Sequence, residues 1–150
     1  MVTRAQIVAE ARGWINTRWQ HQAHLKGVAT DCGGMIYGVG LQLGLLRPVH
    51  EMPEAAFFRG YGRLANNGSM LKACSILLQR IDVAFASHGD VVLMLFDNEP
   101  QHVGLLGDYV HGGLSIIHAY ARMRKVVESR FDDQFRAKVI AAFSYPGVEA

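Results

Sequence analysis

The hydrophobic period of the chain changes near its middle. Up to about residue 78 the apolar positions recur at steps of three and four, and from Gly89 onward they form short runs or alternate in twos. Ile7, Val8, Ala11, Trp14 and Ile15 share one helical face behind Thr3 and Gln6, which have capping-box spacing, so a first helix is predicted to end near Asn16-Thr17. Trp19 to Thr30 is polar and reads as a loop. Asp31 or its neighbour is then placed to cap a second helix, with Met35, Ile36, Val39 and Leu43 apolar, running to about Leu45 and closed by Gly44 and Pro48. This helix carries Gly33, Gly34, Gly38, Gly40 and Gly44. An interior glycine costs about 1 kcal/mol against alanine, so the pattern predicts a central helix packed closely against other backbone.

His50 to Gly68, with Pro53, Gly60, Gly62 and Asn66-Asn67-Gly68, reads as a loop with short helical turns. Ser69 is placed to cap a third helix through about Leu78. Beyond Gly89-Asp90 the predicted elements are a strand Val91 to Phe96, a turn Asp97 to Gln101 and a strand His102 to Gly107. A further pair spans Ser115 to Tyr120 and Arg124 to Val127, followed by a helical turn within Phe131 to Arg136 and a last strand Val139 to Phe143. Helices come first and an antiparallel sheet second, which is the α+β class, in one domain over residues 1–150.

Composition narrows the function. The chain has 150 residues, half of them apolar and 19% charged, which suits a globular domain with a real core. A net charge of +2 without any like-charge block gives no case for nucleic acid. Residues 1–15 lack the apolar run of a signal peptide, and no later stretch has membrane-spanning length, so synthesis in a cytoplasm and no membrane insertion are expected. Cys32 and Cys74 are the only cysteines, which argues against a disulfide framework. Cys74 falls mid-helix among Leu71, Leu77 and Leu78 and reads as a buried structural thiol.

Cys32 reads differently. It stands at a predicted helix start with Gly27, Gly33 and Gly34 around it, where the helix dipole favours thiolate and little side-chain bulk blocks approach. An activated Cys32 is expected to alkylate at mildly acidic pH far faster than Cys74. His102 lies on a predicted strand and shares a face with Gly104 and Leu106, while His118 shares a face with Ile116 and Tyr120. Neighbouring strands would set the two histidines side by side. Nucleophile, base and orienter then fall on Cys32, His102 and His118. The competing reading is a zinc site from His21, His24, Cys32, His102 and His118. His21 and His24 lie on no helical pattern, and the chain has neither CxxC nor HExxH, so no metal or cofactor is predicted. His24 and His111 read as loop and turn residues, and His50 and His88 receive no role.

Asp31-Cys32-x-Gly34, Gly89-Asp90-Val91-Val92-Leu93, His102-Val103-Gly104 and Ile117-His118-Ala119 together resemble the NlpC-type family of papain-like peptidoglycan endopeptidases. Trp14-x-x-Thr17, His21-Gln22, Lys26-Gly27-Val28, Val126-Val127-Glu128 and Ala141-Ala142-Phe143-x-x-Pro146 are similar to the small wall peptidases of phage tail and gene-transfer-agent clusters. The resemblance implies a papain-like fold with the nucleophile helix packed on the C-terminal antiparallel sheet. It also implies cleavage of a peptidoglycan stem-peptide amide, typically between D-glutamate and a diamino acid, with Cys32, His102 and His118 as the catalytic set. Two departures stand out: Gly33 occupies a position often held by serine, and Trp19 stands where many members carry a tyrosine. Trp19, His21 and Asp31 are therefore the candidates for substrate contact and oxyanion support, together with the Cys32 backbone N–H. The implied partners are bacterial peptidoglycan and structural proteins of a phage tail, and the implied location is the virion or tail, acting at the wall. A structural tail subunit that merely keeps the fold, and a papain-like amidase or acyltransferase with another substrate, are the alternatives.

Overall fold

The computed structural model describes residues 1–48, 51, 69–96 and 99–149; the expectations placed on His50 and on 52–68 lie outside the described residues. Helix α1 (Arg4–Arg12) starts with the predicted capping box, the Thr3 side chain accepting from the Gln6 N–H and the Gln6 side chain accepting from the Thr3 N–H. It stops a turn earlier than its apolar pattern suggests. Gly13 caps it, and Asn16 adopts a left-handed backbone (φ 74°) that no helix can continue through. The segment read as a loop holds three two-residue strands, β1 (Arg18–Trp19), β2 (His24–Leu25) and β3 (Ala29–Thr30). Helices α2 (Cys32–Gln42) and α3 (Ser69–Leu77) follow.

Strand β4 (Gln79–Ile81), which the sequence pattern misses, precedes β5 (Val91–Phe96), β6 (Glu99–Asp108), β7 (Leu114–Tyr120) and β8 (Lys125–Arg130). Strand β6 begins three residues before the predicted position and takes in 99–101 of the expected 97–101 turn, whose first two residues lie outside the described ones. The short helix α4 (Asp133–Arg136) and strand β9 (Val139–Ser144) complete the fold. The nine strands of the described residues form one sheet in the order β2-β3-β1-β8-β7-β6-β5-β9-β4. The sheet is mixed and not purely antiparallel, because β1 and β3 pair in parallel. That pairing follows from the chain looping back through β2 between them.

Two apolar clusters lie on opposite faces of the sheet. Val91, Leu93, Val103, Leu105, Ile117 and Ala119 meet α1, α2 and α3 on one face. Val92, Met94, Leu106, Ile116 and Ala142 meet Phe131 and the flank of α4 on the other. The alternation along each strand sorts them, as the period-two pattern predicts. The glycines of α2 are needed for close packing: a Cβ at Gly34 would collide with the Ala23 carbonyl oxygen, and one at Gly38 with the Trp14 ring. Tyr145, fully buried, donates to the Ile36 carbonyl at 2.6 Å and ties the chain end to α2. At the head of β5, the buried Asp90 accepts from Arg4 Nη1 at 2.7 Å and from the Ser87 N–H at 2.9 Å, docking α1 against the sheet.

Candidate active site

Cys32 is the first residue of α2, and Asp31 is its N-cap. The Asp31 carboxylate uses both oxygens structurally. Oδ1 accepts from the Gly34 N–H at 2.7 Å and Oδ2 from the Gln22 N–H at 2.6 Å. The Ala23 carbonyl in turn accepts from the Asp31 N–H at 3.0 Å and from the Thr30 hydroxyl at 3.2 Å. The helix start and the segment holding Trp19 and His21 are thereby one unit. Trp19 is half-buried and packs against the helix-side core, whereas His21 is exposed in the turn that follows.

The cysteine is buried, and burial pushes its thiol up to about 12, with the neighbouring Asp31 carboxylate adding to the push. The backbone N–H groups of Val103, Gly33 and Cys32 itself act in the opposite direction. The expectation of a dipole-stabilised thiolate is therefore corrected. A carboxylate one residue away and the loss of water outweigh the helix terminus, and the resting group is a thiol. Burial likewise pushes Cys74 up to about 12, with the charge of Cys32 as a second contribution. Cys74 lines an apolar pocket with Tyr37, Leu77 and Val103, in keeping with a structural role.

His102 on β6 and His118 on β7 are both buried, and a 2.6 Å hydrogen bond joins His102 Nε2 to His118 Nδ1. Strand pairing explains the meeting. The register Leu105↔Ile117 sets Gly104 opposite His118, so His102 reaches it diagonally across one face. A Cβ at Gly104 would come within 2.5 Å of Ile116 Cδ1 and 3.4 Å of His118 Cβ, so the glycine lets the Ile116 side chain pack beside the pair. The space it leaves is filled by those groups. Burial lowers both imidazoles, His102 well below its ordinary value and His118 to about 4; the nearby His118 charge also lowers His102. Both rings are neutral at neutral pH.

Three aromatic rings that the sequence reading did not single out surround the pair. Phe96 stacks on His102 at 4.7 Å, Tyr120 stacks on His118 at 4.8 Å, and Phe135 meets His118 edge to face at 5.5 Å. Only Tyr120 carried a sequence signal, since it lies two residues from His118 on the same strand face. By strand alternation the imidazoles occupy the Leu106–Ile116 face, opposite the face on which α2 packs. Cys32 meets β6 at backbone level, at the Val103 amide next to His102. The β6–β7 rungs run from Leu105↔Ile117 to Asp108↔Leu114, so this amide lies beyond the last rung. Among the described residues no group of three or more His, Cys, Asp or Glu side chains is placed to hold a metal ion. No described helix is long and apolar enough to cross a membrane.

Solved structures share this architecture. The NlpC/p60 domain of the peptidoglycan hydrolase SagA superposes with a TM-score of 0.62 at 25% identity, covering 95% of this chain and 99% of that one. The fold is that of the NlpC/p60 superfamily. A lipoprotein-like NLP/P60 family protein from Staphylococcus aureus matches at TM-score 0.64 and 16% identity, over 98% of this chain and 42% of its own length. NlpC2 from Trichomonas vaginalis matches at 0.62 and 17%, over 97% of this chain and 47% of its own. The chain thus spans the whole SagA domain and less than half of the other two NlpC/p60 proteins. No family model matches the sequence, and no curated protein does.

Proposed function

We propose that the protein is a cysteine endopeptidase that hydrolyses an amide bond in peptidoglycan stem peptides, between D-glutamate and a diamino acid. The observation that carries this reading is the buried 2.6 Å bond between His102 Nε2 and His118 Nδ1, held on the strand whose next amide faces Cys32. The bond commits Nε2 of His102 and leaves Nδ1 as its nitrogen for proton transfer. Cys32 and His102 rest uncharged, because burial disfavours both the thiolate and the imidazolium. The thiol proton therefore moves to His102 as the sulfur attacks the scissile carbonyl carbon, instead of beforehand. His102 then gives that proton to the leaving amine as the C–N bond breaks, and a thioester remains on Cys32. Water, deprotonated by His102, attacks the thioester and releases the acid and the thiol.

The N–H groups of Cys32 and Gly33 at the head of α2 supply the oxyanion support, and the segment of Trp19 and His21, pinned by Asp31, borders the substrate. The sequence resemblance alone suggests a phage tail or phage-derived particle as the setting, with the enzyme acting at the wall during entry. Digestion of purified peptidoglycan by wild type and by Cys32→Ser, read by mass spectrometry, tests the function. New amino termini on the diamino acid, from wild type only, are expected. Identical fragments from the serine variant would refute Cys32 as the nucleophile, and none from folded wild type would refute the peptidase and move weight to a structural tail role.

A further inference from the structure

The two nitrogens of the fully buried His118 ring have different surroundings. Nδ1 shares the short bond with His102, whereas Nε2 is buried without a hydrogen-bond partner among the described residues. Tyr120 covers one face of the ring, stacked within 20° of parallel. Phe135 stands almost perpendicular to it, at 86° with centroids 5.5 Å apart. Phe135 is itself fixed, because the Asp132 side chain at the start of α4 accepts its N–H at 3.0 Å.

Two tautomers fit the His102–His118 bond. In one, His118 Nδ1 carries the proton and donates to His102, leaving a lone pair on the orphaned Nε2. In the other, His118 Nε2 carries the proton and Nδ1 accepts from His102. An aromatic face is electron-rich, so it attracts an N–H and repels a lone pair. We propose that Phe135 is a positioning residue whose ring face takes the Nε2–H of His118 and selects the second tautomer. His102 is then protonated on Nε2 and keeps its Nδ1 lone pair, which is the form a base for Cys32 requires. The catalytic consequence rests on the peptidase reading, and the tautomer does not.

Long-range proton–nitrogen NMR of the histidine rings at neutral pH provides the test. Wild type should show His118 as the Nε2–H tautomer. Phe135→Leu keeps the apolar volume without the ring, and should lower the Nε2–H to Nδ1–H ratio about two- to fivefold, with peptidoglycan hydrolysis falling by no more than that factor. Phe135→Tyr, which retains the aromatic face, should match wild type in both. A wild-type spectrum with His118 as Nδ1–H would overturn the proposal, whether or not the leucine variant folds. An unchanged ratio in folded Phe135→Leu would overturn it equally. Absence of hydrolysis by wild type, with the tautomer still dependent on Phe135, would instead refute the peptidase reading and leave this inference standing.

Discussion

Asp31 joins the stability of the site to its chemistry, and its replacement should move the two in opposite directions. The residue is 3% exposed, and its carboxylate accepts two backbone N–H groups, from Gly34 at 2.7 Å and Gln22 at 2.6 Å. Hydrogen bonds to a charged acceptor contribute about 1.5–3 kcal/mol each, and an N-cap lost to alanine costs about 0.5–2 kcal/mol within that total. Asp31→Ala strands both amides and should cost about 3–5 kcal/mol, which lowers Tm by roughly 10 °C in a domain of this size. Asp31→Asn keeps one acceptor for Gly34 but turns an NH2 toward the Gln22 amide, so about half of that loss is expected. The negative charge that helps hold the Cys32 thiol near 12 disappears in the same variant. Cys32 should therefore become more acidic in Asp31→Asn, although the fold is weaker. Thermal unfolding reads the first effect, and the pH dependence of iodoacetamide alkylation, with Cys74→Ala as background, reads the second. A loss below about 1 kcal/mol in Asp31→Ala, or an unmoved alkylation profile in Asp31→Asn, would refute the reasoning.

Three other outcomes are expected. His118→Asn should keep partial hydrolysis, because an amide oxygen can still accept from His102, while His118→Ala should lose much more; equal wild-type rates in both would remove His118 from the mechanism. Acid should weaken the fold between pH 6.5 and 4, since the unfolded chain binds a proton on His118 at 6.5 and the native one only near 4. The stability present above 6.5 is lost as pH falls through that window, by about 3 kcal/mol for this ring, and His102 adds loss in the same direction. Urea midpoints across that range should flatten in His118→Asn. Gly38→Ala should destabilise despite alanine's helix propensity: the propensity gain is about 1 kcal/mol, and the clash of the new Cβ with the Trp14 ring costs about 1–3 kcal/mol, so urea denaturation should show a net loss.

The sequence by itself determined the class of the fold and the elements that carry the candidate residues. The capping box at Thr3 and Gln6, the Asp31 cap and the apolar run Val91–Phe96 are local signals, and each element begins where its residues say. Strand alternation also determined that His102 lies with Gly104 and Leu106, and His118 with Ile116 and Tyr120, because that depends only on backbone period; the pairing of β6 with β7 then put both histidines on one face. Tertiary structure decided the rest. Strands β1 to β3 are two residues each, too short for any periodicity, and exist because neighbouring strands satisfy their amides. The end of α1 was set by the left-handed turn at Asn16, whose N–H donates to the Val126 carbonyl across the sheet. The charge state of Cys32 could not be read from its place at a helix start, since burial and the Asp31 carboxylate act on it through space. Phe96 reaches the histidine pair from the neighbouring strand β5 and Phe135 from α4, placements that no local pattern gives. Local sequence encodes period and caps; which groups lose water together, and so which protons they keep, is a property of packing.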